Sequence, residues 1–267
     1  MLCAFQIHKD VLMKITFEEP LELSSINNIS VTRNTNYDKS YIEYSFKQNA
    51  KPIEHMLVNT TLGEKLSAYN LIEKDLNSAF STFSYLIDFI SKTSKEELQG
   101  YGGHSNNNFI IAKSLHQSAI VTYCKCFANS SGGKKSKQKP RGVKLEKQLI
   151  SDFPDELKAT HEDLMEMRNE YIAHGGASPY EKCVSLILLS KNYEINSEIL
   201  CLEAHSGGLD ISFYHMVLKL ISSLKGKLEE MQNKKRKSLY EGYLKNLPKE
   251  KIREKATKVT RISLSST

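Results

Sequence analysis

The feature that most constrains this chain is an apolar repeat in its first half. Leu62, Leu66, Tyr69, Ile72, Leu76, Phe80, Phe83, Ile87 and Ile90 recur at spacings of three and four. That is the period of a helix with one apolar face. Thr60 or Thr61 can cap its start, and Glu64 stands where a capping box from Thr61 needs it. Gly100-Tyr101-Gly102-Gly103 closes the segment, so the pattern predicts one helix of about thirty residues.

Further helices follow. Phe109, Ala112, Leu115, Ala119, Ile120, Tyr123 and Phe127 define the inward face of a second, from Asn108 to Phe127. A third region runs from Leu145 to His174, interrupted at Pro154, with Leu157, His161, Leu164, Met165, Arg168 and Ile172 on one broad face. After Gly175-Gly176 and Pro179 the period changes to that of strands. Residues 183–189 and 198–203 flank a polar turn, the signature of a β-hairpin. Asp210 opens a last helix through Phe213, Val217, Leu220, Ile221 and Leu224, which turns basic near Lys234. The first fifty residues differ. Val11–Phe17, Ile29–Thr32 and Tyr41–Phe46 are β-rich with polar connectors, and Tyr41, Tyr44 and Phe46 read as strand packing before base stacking.

The organisation expected is therefore a small β-rich element over 1–58, a helical domain over 59–230 and a basic helical tail over 231–267 with a frayed end. The helical domain includes a flexible basic loop at 129–142 and a hairpin at 182–204. The fold class is mainly α, of the α+β kind.

Charge is unevenly placed. Lys134, Lys135, Lys137, Lys139 and Arg141 put +5 into one short loop, and thirteen basic residues against five glutamates put +8 between Lys225 and Arg261. Together these exceed the +6 of the whole chain, so the remainder is net acidic. Cationic segments of this kind, including Lys234, Lys235, Arg236 and Lys237, suit a polyanion such as RNA, although lysine-rich tails also serve as solubilising surfaces. Gly133-Lys134-Lys135-Ser136 only hints at a phosphate-binding P-loop, which no strand precedes. No apolar run approaches the roughly 18 residues that span a bilayer, and His8, Lys9 and Asp10 interrupt the apolar start that a signal peptide would need. A cytoplasmic protein with no membrane association is expected. The five cysteines (Cys3, Cys124, Cys126, Cys183, Cys201) are scattered and read as buried small apolar groups.

The chemistry concentrates in Met167-Arg168-Asn169-Glu170-Tyr171-Ile172-Ala173-His174-Gly175. A guanidinium holds a phosphate in a bidentate fork, and an imidazole moves protons near neutral pH. Six positions on an ideal helix set His174 about 120° from Arg168, so one straight helix does not present both. Either the helix unwinds before Gly175 or the site is completed by a second copy. His161 aligns with Arg168, seven positions on, and its plainer role is a hydrogen-bonded helix histidine. Glu170 and Tyr171 flank the motif as supporting residues. No carboxylate–histidine cluster has ligand spacing, so neither a metal nor a cofactor is expected.

Long helices, a third ending in Arg-Asn-x-x-x-x-His, then a hairpin and a further helix: this resembles the HEPN family (higher eukaryotes and prokaryotes nucleotide-binding domains). Arg168, Asn169 and His174 match its signature of an arginine, a polar residue and a histidine after a few variable positions. Ala173 before the histidine and the hairpin after it also look like many bacterial members. The resemblance covers about Asn59 to Leu224 and implies a HEPN-like helical bundle with the hairpin inserted after the motif. It further implies a metal-independent endoribonuclease acting in anti-phage defence (abortive infection) or as a toxin, and working as a homodimer whose two motifs share one cleft. An antitoxin or defence-system partner would restrain it. Arg168, Asn169 and His174 would be catalytic. Catalytically silent members that bind RNA or a partner protein are the alternative. Members modified by a partner nucleotidyltransferase carry a tyrosine two residues after the histidine, and this chain has Gly176 there.

Overall fold

The computed structural model describes residues 16–20, 29–36, 41–98, 106–127, 145, 148–172, 181–189, 195–205 and 210–263. They are mainly helical, with antiparallel sheet. The chain divides into two compact units, Met1–Gly63 with Ser238–Thr267, and Glu64–Lys237.

In the second unit the apolar repeat becomes helix α1, Thr61–Lys92. Its start, in the first unit, is capped by Thr60, whose hydroxyl accepts the Gly63 N–H at 3.1 Å. The capping residue is thus the first of the two threonines, and Glu64 is one position too late for a reciprocal box. Gly63 is required, because a Cβ there would lie 2.5 Å from the carbonyl oxygen of Val58. Helix α2, Asn107–Cys124, starts where the Asn106 side chain accepts the Asn108 N–H at 3.0 Å. Pro154 separates the short α3, Gln148–Ser151, from α4, Asp155–Glu166. Asp155 and Glu156 sit in the first turn of α4, where carboxylates offset the helix dipole. Helix α5, Ile211–Gly242, is opened by Asp210, which accepts the Ser212 N–H at 2.8 Å.

The apolar faces of these helices form one core. Ile72, Leu76, Phe83 and Leu86 of α1, Ile120 and Tyr123 of α2, Leu164 of α4 and Tyr214, Leu220 and Ile221 of α5 are fully buried within it. Two buried hydroxyls find histidines as partners. Tyr123 Oη and His161 Nδ1 are 2.8 Å apart, and Tyr214 Oη and His116 Nδ1 are 2.9 Å apart. Burial lowers the His116 pKa to about 4, so its ring is neutral. Helix α2 is apolar on both sides, since Ile110, Ile111 and Val121 are exposed opposite its buried face. The hairpin forms as expected from strands Glu181–Leu189 and Ile195–His205 (β5 and β6 in chain order), with Val184, Leu186 and Ile187 exposed.

The first unit is a sheet of β1 (Thr16–Pro20), β2 (Ile29–Asn36), β3 (Tyr41–Gln48), β4 (Lys51–Ile53) and β7 (Val259–Ser263), all antiparallel. Its last strand lies in the tail expected to be helical, and the end expected to fray, 264–267, lies outside the described residues. After the helix α6, Lys249–Lys255, the chain pairs Val259–Ser263 with Tyr41–Ser45 of β3. β4 takes Phe46–Gln48 of the same strand. His55 and Thr257 exchange two backbone bonds of 2.8 Å between these two partners. Thr260 is the buried residue of this strand and meets the His55 ring. Ser238–Thr267 and the N-terminal element thus form one unit. Of the expected strand at Val11–Phe17, Thr16 and Phe17 begin β1, and residues 11–15 lie outside the described residues. The basic loop 129–142 lies outside them as well. No helix among the described residues is long and apolar enough to cross a membrane.

Candidate functional site

The expected site grows from the end of α4, where the helix changes pitch. Met167–Ile172 forms a π-helical turn. Met167 and Ile172 both pack against the core, although five α-helical positions would point them about 140° apart. A turn with i to i+5 bonding turns both inward and lets the residues between them bulge. Those residues begin with Arg168 and Asn169. The Arg168 Nη1 donates to Asn169 Oδ1 at 2.8 Å, with Asn169 exposed and Arg168 half-buried. The pair is preorganised: the amide holds one edge of the guanidinium and leaves the planar fork geometry that suits a phosphate.

Helix α2 supports this turn from within. Cys124 donates its S–H to the Leu164 carbonyl at 3.4 Å. Burial pushes the Cys124 thiol up to about 12, and the Arg168 charge acts in the opposite direction. Cys124 is therefore a protonated packing residue beside the motif, not a nucleophile. Cys126 is buried too. Glu170 and Tyr171 lie in the backbone of the π turn, and their side chains are outside the described residues, as is His174.

His161 is buried beneath the motif face. Besides its bond to Tyr123, its ring lies 4.7 Å from that of Phe127. The plainer expectation for His161 holds: it is a hydrogen-bonded core histidine. It also lines a cavity of about 300 Å3 with Ile150, Ser151, Lys158, Glu162 and Met165. Nothing in the sequence marks this cavity. Tyr123 falls on the inward face of its helix and His161 shares a broad face with Leu157 and Leu164, and a buried hydroxyl needs a partner, so their pairing is legible in principle. The cavity is not, because it depends on how α3 packs on α4.

Of the cationic residues, Lys134, Lys135, Lys137, Lys139 and Arg141 lie outside the described residues. Lys234, Arg236 and Lys237 are exposed on α5 with Lys235 half-buried, and Arg236 donates to Asn233 at 3.0 Å. They stand on a different element from the Arg168–Asn169 pair. Among the described residues, no group of three or more His, Cys, Asp or Glu is placed to hold a metal ion. In comparisons with known proteins, no family model, no curated protein and no solved structure matches this chain.

Proposed function

We propose that this chain is a metal-independent endoribonuclease of the HEPN type, active as a homodimer. The observation that carries the reading is the Arg168–Asn169 pair, 2.8 Å apart on a solvent-facing π turn. Its guanidinium would neutralise charge building on the phosphoryl oxygens, and Asn169 would keep it aimed. The 2′-oxygen of the ribose attacks the adjacent phosphorus and the bond to the 5′-oxygen breaks, leaving a 2′,3′-cyclic phosphate and a 5′-hydroxyl. One His174 takes the 2′ proton and that of the second copy delivers a proton to the leaving oxygen. The basic loop and Lys234–Lys237 would add salt-sensitive affinity for the backbone.

A second copy has a surface to meet. The outer face of α2 sets exposed Ser114 and Ser118 between exposed Ile110 and Ile111 at one end and Val121 at the other. Two such faces related by a two-fold axis place large residues over large ones and small ones at the crossing. The same helix packs against the π turn. Defence or toxin activity is the biological setting proposed, with a restraining partner.

The test is incubation of the purified protein with labelled RNA in EDTA. Wild type should cleave, Arg168→Ala should lose about 10²–10³-fold and His174→Ala about 10²–10⁴-fold. Cleavage that survives both substitutions, or that needs added metal, sinks the mechanism. Salt-sensitive binding without cleavage would make the chain a silent RNA-binding module instead.

A further inference from the structure

The cavity beside His161 lies on the motif's own helix face. Lys158, His161 and Met165 follow one another at spacings of three and four, and Arg168 is the next step along that row. His161 and Arg168 are separated by a rise of about 10 Å. A group seated in the cavity would thus be a neighbour of any phosphate held at Arg168, within reach of one splayed-out nucleotide.

The lining is specific in chemistry. Ile150 and Met165 offer apolar walls, and a thioether packs well on an aromatic ring. The polar groups are the Ser151 hydroxyl, the Lys158 ammonium and the Glu162 carboxylate. His161, only 6% exposed and bonded to Tyr123, fixes the back wall. About 300 Å3 is small for a ligand pocket and suits a single base with its sugar. The carboxylate only accepts hydrogen bonds and the ammonium only donates them. Side by side one helical turn apart, they ask for a ligand edge with an acceptor next to donors.

Guanine has that edge. Its O6 accepts, and N1–H and N2–H can both donate to one carboxylate in a charge-assisted pair. Adenine offers a carboxylate only its exocyclic amine, and the pyrimidines likewise offer it a single N–H-bearing group. Lys158 is held by Asp155 at 3.0 Å, but Asp155 is almost fully exposed, so that pair is weak and the ammonium can turn to a ligand. We propose that the cavity is a guanine subsite. Its placement of a guanosine beside the scissile phosphate rests on the ribonuclease reading above.

The experiment titrates the full-length protein with guanosine, adenosine, cytidine and uridine, followed calorimetrically. Phosphate-free nucleosides are used so that phosphate affinity does not enter. Guanosine should bind at least about tenfold more tightly than the others, and Glu162→Gln should weaken it by about tenfold or more. Arg168→Ala and His174→Ala should leave guanosine binding unchanged. Equal affinity for the four nucleosides, no binding at millimolar concentration, or a Glu162→Gln variant that binds like wild type overturns the proposal, even if RNA is cleaved. Should RNA stay intact while guanosine binds as expected, the ribonuclease reading fails and the subsite stands. Where RNA is cleaved, cuts should cluster next to guanines in wild type and lose that preference in Glu162→Gln.

Discussion

The two units of this chain are held together in opposite ways. The helical unit, Glu64–Lys237, rests on one large apolar core, and its buried polar groups answer each other across helices, as Tyr123 does His161 and Tyr214 does His116. Among the described side chains of the sheet unit few strand residues are buried: Val31, Ile42 and Thr260. It is assembled instead by backbone pairing between distant parts of the chain. β3 lends one edge to β4 and β7 end to end, and Arg261 closes on Glu43 at 2.9 Å across 218 positions. Apolar contact dominates where helices meet. Register dominates where a strand has to find an edge.

The contrast can be broken most directly at β7. Deleting residues 259–267 removes the pairing partner of Tyr41–Ser45. Hydrogen exchange should show protection lost at those of the Tyr41–Ser45 amides that face β7, and kept at those that face β2 and at α1, α2 and α4. Loss of protection throughout would mean that the helical core does not stand on its own contacts. Phe83→Ala acts on the other side of the comparison. Phe83 is fully buried, and the truncation should destabilise the helical unit by about 3–5 kcal/mol in denaturant unfolding followed by helix signal.

Acid sharpens the difference further. Burial depresses the His116 pKa to about 4 from an ordinary 6.5. As pH falls, the unfolded chain takes up this proton first, so stability present above 6.5 is lost progressively toward 4. The loss should reach at most about 3 kcal/mol, seen in unfolding curves against pH, and His116→Gln should flatten it. A flat wild-type curve over that window would mean that the ring is not sealed from water. The smallest effect is expected at the sheet surface. Glu43→Gln removes the partner of an exposed guanidinium, and the unfolding midpoint should not shift measurably. A clear loss there would show that the closing ion pair, and not strand pairing, holds the tail.

Much of the helical unit was legible because its signal is local. The three-and-four spacing from Leu62 to Ile90 places α1 at Thr61–Lys92, and Pro154 marks the break before α4. The strands Ile29–Thr32 and Tyr41–Phe46 also appear where alternation set them, within β2 and β3. β7 was missed because Val259 and Ile262 stand three apart and give no strand alternation, and nothing local names the edge they pair with. At the site, Arg168 and Asn169 were legible as residue types able to grip a phosphate. Their hydrogen bond depends on the π turn, and that turn arises because Met167 and Ile172 compete for the same core.

By itself, then, the sequence determined the long helices, the hairpin and the residue types at the candidate site, since periodicity, caps and side-chain types act over a few residues. Only the tertiary structure decided that the tail joins the N-terminal sheet, that His161 spends its Nδ1 on Tyr123, and that a cavity opens between α3 and α4 beside the motif. Each of these depends on which distant surfaces meet. A local pattern can demand a partner without naming it.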